Sequence, residues 1–370
     1  MKLTEKKVIF VNNPAAINGG ALTILKQFIV NVAQKCSHDY NFYIFCTADL
    51  KEFECNNIKI ITDIKAKKWK DRIYWDTIGL RKWSEKKYII PNLVISLQNT
   101  GVGSFSDINQ IVYLHQSLPY YEDIKWNPFI KRERKYWFYR YIYKLLIDKT
   151  IRNKYLVVQC EWMKQKVSHQ HKINKRNIFV IKPNFNEVST NKYIEKDTIS
   201  LFYPASSEIY KNHEVLFKSI KNIKQERNLK DIKLYLTLEK NNSKYLCKLI
   251  KKYNIESNVI FLGVLSYEEV MEYYQKCSIV VFPSYVETIG LPLIEAAQYG
   301  KPIIVSDFEY SREALDGYDG VKFVQFNNEK EWSQIILEQL NNEKKYKYFI
   351  NNKGNSWDEF IRIISECENW

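Results

Sequence analysis

The sequence is short of several things. It has no C-x-x-C spacing: Cys36, Cys46, Cys55, Cys160, Cys247, Cys277 and Cys367 are scattered and odd in number. That excludes a zinc ribbon and a disulfide framework and reads as a set of reduced core thiols. His169 and His171 form an H-x-H, but no acidic residue or thiol stands near them in sequence, so no metal site is read there. There is no D-x-D pair of the kind that holds a divalent ion on a nucleotide, which points to metal-independent chemistry. No apolar stretch reaches the length needed to span a bilayer, and Met1-Lys2-Leu3-Thr4-Glu5-Lys6-Lys7 leads straight into a short strand without a secretory signal. The expectation is a cytoplasmic protein, soluble or peripheral on the inner face of the membrane. Acidic residues are outnumbered by basic ones, 42 to 56, leaving a net charge of +14. A nucleic acid, an anionic lipid surface and an anionic nucleotide substrate all suit that charge, and it does not choose between them.

What is present is a globular composition, 45% hydrophobic over 370 residues with no low-complexity run, which suits two domains of ordinary size. The organising stretch is 277–307, CSIVVFPSYVETIGLPLIEAAQYGKPIIVSD. A β-branched apolar run over 279–282, stopped by Pro283, reads as a buried strand. Leu291-Pro292 opens a helix expected over 292–299, closed by Gly300 and Pro302. Ile303 starts the next strand. The loop between therefore sits at a strand's carboxyl end, where open α/β sheets bind ligands.

Two carboxylates bracket that loop and helix, Glu287 in the loop and Glu295 one turn into the helix. The N–H groups at Gly290 and Leu291 suit phosphate oxygens, and each carboxylate suits paired hydroxyls. A plain surface βαβ unit whose acidic residue favours the helix dipole accounts for the same local pattern.

The whole string decides between these. Glu287-Thr288-Ile289-Gly290-Leu291-Pro292-Leu293-Ile294-Glu295-Ala296, followed by Gly300-Lys301-Pro302 and Ser306-Asp307, resembles the E-x7-E signature of retaining GT-B glycosyltransferases of the family 4 type. The resemblance implies an α/β fold of two Rossmann-like domains facing a cleft. It implies that Glu287 contacts the transferred sugar, that Glu295 holds the ribose hydroxyls, and that Thr288, Gly290 and Leu291 line the donor. It also implies transfer with retention from a nucleotide-sugar, a substrate rather than a cofactor, to a glycan or lipid-linked glycan acceptor in cell-surface polysaccharide assembly.

Elsewhere the chain alternates strands and helices. A strand over 8–11 leads through Gly19-Gly20 to a helix over 21–33. Glycines at such a turn let a ligand approach the backbone, and the resemblance makes Gly19 and Gly20 candidates for the donor phosphates. Strands are expected over 43–46, 58–61, 93–96 and 111–114. The last ends in His115, a structural hydrogen-bonder on its own and a sugar-contacting residue by resemblance. Further strands follow over 156–159, 177–181, 199–203, 232–238 and 259–262, with a capping box at Ser266 and Glu269.

Lys211, after the 199–203 strand, matches the family's lysine that neutralises the donor diphosphate. The arginine usual five residues earlier is Ser206 here, which leaves Lys182 or Lys301 as conceivable replacement cations. Two stretches, 65–87 and 125–155, interleave aromatics with Lys and Arg. They suit an anionic membrane surface, a nucleic-acid backbone, or aromatics packed inward beneath solvated charge. Nucleic acid is not expected as a partner.

The expected organisation is an acceptor-binding domain over 1–185, a polar linker over 185–197, a donor-binding domain over 198–353, and an amphipathic helix within 354–370 returning to the first domain. Three rivals are a non-catalytic accessory chain on the same fold, a basic nucleic-acid-binding protein with steep salt dependence, and an epimerase.

Overall fold

The computed structural model describes residues 6–17, 19–36, 38–182, 200–227, 231–342, 344–349 and 356–367. The expected linker over 185–197 lies outside them. The chain divides into two compact units, residues 1–185 with 353–370, and residues 186–352.

The first unit is built on seven strands: β1 (Lys7–Asn12), β2 (Tyr40–Phe45), β3 (Ile58–Ile61), β4 (Leu93–Ser96), β5 (Gln110–Leu114), β6 (Tyr155–Val158) and β7 (Ile178–Val180). They pair in parallel in the order β3-β2-β1-β4-β5-β6-β7. Parallel strands are covered on both faces and so read as near-continuous apolar runs, as β4 (LVIS) does with all four residues buried. Alternation along β1 sends Ile9 and Val11 to one core and Phe10 to another. Phe10 there meets Phe45, Trp83 and Phe105 edge-on at 5.1, 5.8 and 5.9 Å.

The helices of this unit are α1 (Gly19–Lys35), α2 (Trp69–Tyr74), α3 (Leu80–Lys87), α4 (Arg134–Trp137), α5 (Lys144–Ile151) and α6 (Glu161–His171). Two π-helical turns, Trp75–Gly79 and Phe138–Tyr143, join α2 to α3 and α4 to α5. The helix expected over 21–33 starts two residues earlier, because Gly19 with φ of 62° turns the chain into the first turn. The closing helix, Ser356–Cys367, buries Trp357, Phe360, Ile363 and Ile364 in the core that contains Ile9, Val11 and α1.

The second unit holds β8 (Ser200–Tyr203), β9 (Lys233–Leu236), β10 (Val259–Phe261), β11 (Ile279–Phe282), β12 (Ile303–Ser306) and β13 (Val321–Val324). They pair in parallel in the order β10-β9-β8-β11-β12-β13. Its helices are α7 (His213–Arg227), α8 (Lys244–Tyr253), α9 (Tyr267–Lys276), α10 (Leu291–Gln298), α11 (Glu309–Ala314) and α12 (Glu329–Leu340); the first unit's closing helix, Ser356–Cys367, is α13. Each sheet reverses its winding once, between β1 and β4 and between β8 and β11. Loops at the carboxyl ends of those strands diverge there and leave a crevice.

The aromatic-basic stretches resolve into an inner and an outer set. Trp75, Trp126, Tyr136 and Tyr143 are buried, as is Arg140, whose guanidinium donates to the carbonyls of Pro119 and Tyr121 at 3.0 and 3.1 Å. Arg140 is therefore a structural cation and does not meet lipid. Exposed apolar side chains remain at Ile73, Tyr74 and Ile78 and at Phe129, Tyr141, Ile142 and Leu145. Trp69 joins the two stretches, its ring 5.7 Å from Phe138 and 5.4 Å from Tyr143. Among the described residues no helix is long and apolar enough to cross a membrane.

Candidate active site

The switch point of the second sheet is lined by the loop after β8, which carries Lys211, and the loop after β11, which carries Glu287. Backbone bonds join the loops: Tyr285 N–H donates to the carbonyl of Tyr210 at 3.0 Å, and Ser284 Oγ donates to the same oxygen at 3.3 Å. Asn212, in the left-handed region with φ of 55°, donates through Nδ2 to the carbonyls of Pro283 and Phe326 at 3.3 and 2.6 Å. Asparagine tolerates that backbone and supplies the side-chain donor at once. Tyr203 Oη fixes the carbonyl of Lys211 at 2.7 Å.

The consequence is a direct ion pair between Lys211 Nζ and Glu287, both side chains mostly shielded at 14% and 16% exposure. The sequence reading gave these residues separate roles, a cation for phosphate and a carboxylate for sugar. Their pairing across 76 positions was not legible there. Lys211 Nζ also lies 5.7 Å from the Phe282 ring centroid and 5.4 Å from that of Tyr210, so one side of the ammonium faces π-clouds rather than water.

Helix α10 begins immediately after. Gly290 caps it with φ of 72°, and a Cβ there would sit 3.0 Å from Leu293 Cδ1 and 3.2 Å from the Tyr310 ring, so both backbone and space demand glycine. Tyr310 is itself held by a 2.8 Å bond from its hydroxyl to the carbonyl of Ser284. The Leu291 N–H opens the helix without an intrahelical acceptor, Pro292 has no N–H, and the Leu293 N–H already donates to the Gly290 carbonyl at 2.9 Å; Leu291 itself is exposed at 38%. Glu295, half-buried one turn in, accepts from Tyr274 Oη at 3.2 Å. Burial pushes its carboxyl up and the Tyr274 bond pulls it partly back. Tyr274 had no sequence signal. Thr288 is half-buried beside Glu287, and Ser206 is exposed in the β8 loop.

Lys301 is corrected as a replacement cation. It is buried, and Nζ donates to the carbonyls of Gln275 and Cys277 at 2.6 and 2.9 Å, which ties α9 to the start of β12.

The remaining candidates belong to the first unit. Gly19 and Gly20 open α1, with nothing within 4 Å of where either Cβ would stand. His115 follows β5; its backbone N–H donates to Asn99 Oδ1 at 2.7 Å, and Nε2 lies 3.2 Å from Asn99 Nδ2. Burial lowers its pKa to about 4, so the ring is neutral near pH 7. His171 does have an acidic neighbour, brought by folding: Asp148 Oδ1 lies 2.9 Å from Nδ1. The cysteines are all free, and five of the seven are buried.

Residues 185–355 match the family model described as "Glycosyl transferases group 1". The O-antigen chain mannosyltransferase RfbU of Salmonella typhimurium is 25% identical over 236 residues, 63% of this chain and 62% of that protein. The N,N'-diacetylbacillosaminyl-diphospho-undecaprenol alpha-1,3-N-acetylgalactosaminyltransferase of Campylobacter jejuni is 39% identical over 87 residues, 23% of this chain and 22% of that protein. In both cases the match spans less than two thirds of the relative. The solved structure of Anabaena Alr3699/HepE in complex with UDP and glucose superposes with a TM-score of 0.64 at 13% identity, covering 98% of this chain and 100% of that one, which is a likeness of fold. Lys211, Glu287 and Glu295 thus lie within the segment that matches the glycosyl transferases group 1 model, in a chain of two parallel sheets with a GT-B-like fold.

Proposed function

We propose that this chain is a retaining glycosyltransferase of the family 4 type, moving a hexosyl-type sugar from a nucleotide-sugar to a hydroxyl of a lipid-linked glycan. The observation that carries the reading is the Lys211–Glu287 pair at the switch point of the second sheet, directly before the helix that bears Glu295. Lys211 and the positive end of α10, which presents the Leu291 N–H, take the charge that builds on the departing diphosphate. Those positive groups make a bound metal unnecessary. Glu287 orients the sugar and faces the positive charge developing at its anomeric carbon. Glu295 accepts from the ribose hydroxyls. The polysaccharide and lipid-linked part rests on what the names of the Salmonella and Campylobacter relatives state of those proteins.

Retention predicts a specific product. The anomeric configuration of the transferred sugar, read from its one-bond carbon–proton coupling by NMR, matches that of the donor; an inverted centre overturns the retaining mechanism.

A peripheral membrane position for the first unit is part of the proposal. Its support is the outer apolar set, Ile73, Tyr74, Ile78, Phe129 and Leu145, among a surplus of cations. The chain is expected to sediment with vesicles containing phosphatidylglycerol and not with pure phosphatidylcholine. Phe129→Glu with Leu145→Glu weakens that binding about a hundredfold or more, the scale of two apolar side chains leaving the interface. Equal partition with both vesicle types contradicts it.

A second reading, an accessory chain without turnover, is favoured by one observation: the position of the expected arginine is an exposed serine, Ser206. It predicts a fold that neither binds nor hydrolyses any nucleotide-sugar.

A further inference from the structure

The first sheet has its own carboxylate at its switch point, and no sequence motif marks it. Asp76 lies in the π-helical turn Trp75–Gly79, a local widening of the helix that recurs at functional sites. Its Oδ1 accepts from Asn12 Nδ2 at 2.8 Å and from Gln98 Nε2 at 2.9 Å, and Oδ2 accepts from Gln98 Nε2 at 2.8 Å. Asn12 ends β1 and Gln98 lies two residues past β4, the two strands between which the winding reverses. Asn12 is aimed by its other end, since Oδ1 accepts from Trp75 Nε1 at 2.9 Å, and Tyr143 Oη pins the Gln98 carbonyl at 3.0 Å.

Three features set this apart from an internal strut. Asn12 and Gln98 are buried while Asp76 keeps part of its surface open. Gln98 Oε1, on the amide that grips the carboxylate, is buried with no hydrogen-bond partner. Asp76 makes no ion pair among the described residues, and burial raises its pKa to about 7 against the pull of Asn12, Gln98 and Arg72. An amide would tie the same elements together without desolvating a charge, so the carboxylate costs stability where it stands.

We propose that Asp76, held by Asn12 and Gln98, binds a pair of hydroxyls on a neutral sugar, the acceptor glycan of the transfer proposed above. The two oxygens of the carboxylate, aimed by the Asn12 and Gln98 amides, match vicinal hydroxyls, each a donor. A carboxylate disfavours phosphate or uronate at the same spot, so the recognised portion is uncharged. Identification of the sugar as the acceptor rests on the proposed function; the hydroxyl-binding site does not.

The test uses the full chain and methyl α-glycosides of mannose, glucose, galactose and N-acetylglucosamine, titrated by saturation-transfer NMR. Wild type is expected to bind at least one of them. Asp76→Asn weakens that binding about tenfold or more, the scale of a hydrogen bond to a charged group. Gln98→Met, which keeps length and removes the amide that aims the carboxylate, weakens it as well and decides the matter if Asp76→Asn does not fold. A merely structural role would lower the melting temperature and leave the dissociation constant of the folded fraction unchanged, which overturns the proposal. Absence of any glycoside binding by wild type overturns it too. Nucleotide-sugar binding is read in parallel by thermal shift: its absence beside intact glycoside binding removes the transferase reading and spares this site. Its presence beside glycoside binding indifferent to Asp76 does the reverse.

Discussion

Glu287→Gln is expected to cut sugar transfer by about 10²–10³-fold, the range seen when one preorganised electrostatic contact to a transition state is removed. The substitution keeps volume and most hydrogen-bonding capacity and removes only the charge. In the ground state it also releases Lys211 from its partner, so a bound diphosphate gains an unencumbered cation. The account therefore predicts loss in kcat with an unchanged or lower KM for the donor, the pattern of an interaction made in the transition state and not in the ground state. Initial rates against donor concentration check it. Full turnover by Glu287→Gln would remove Glu287 from the chemistry.

Lys211→Met should be as damaging to transfer, again about 10²–10³-fold, but through a different pattern. The diphosphate loses its cation in both ground and transition states, so donor KM rises as kcat falls. This variant also leaves Glu287, only 16% exposed, without its counter-charge. The expected cost to folding is about 1–3 kcal/mol, the scale of a lost hydrogen bond between charged groups. Adding Glu287→Gln to Lys211→Met removes the stranded charge and should recover part of that stability, a coupling measurable by denaturant unfolding of the four members of the cycle. Additive effects would mean that the pair does not interact in solution.

These expectations show where local pattern stops being informative. Strands such as Ile58–Ile61 and Leu93–Ser96 were legible to the residue, because parallel strands covered on both faces leave a compact apolar signature between turn residues. The capping box at Ser266 was legible for the same reason, its two bonds closing within three residues. Helix α10 was misplaced by one residue at each end: Gly290 in the left-handed region lets Leu291 enter the helix ahead of Pro292, and Tyr299 falls outside it. The Lys211–Glu287 pair, 76 positions apart, depends on β8 and β11 being neighbours, which no local window contains. Lys301 looked available because a lysine beside Gly300 and Pro302 resembles a loop cation, whereas two carbonyls consume it. Asp76 was illegible altogether, since its role follows from a π-turn and from Asn12, 64 positions away.

The central claim is that the second unit holds a nucleotide-sugar through Glu295 and the start of α10. Its most direct test is a thermal-shift screen of the full chain against UDP-, GDP-, dTDP- and CMP-sugars, repeated with Glu295→Ala. The account predicts stabilisation by one nucleotide class, worth about 2.7 kcal/mol at a hundredfold excess over Kd, and its loss in the variant. Unchanged melting of the wild-type chain with every one of these nucleotide-sugars would contradict it.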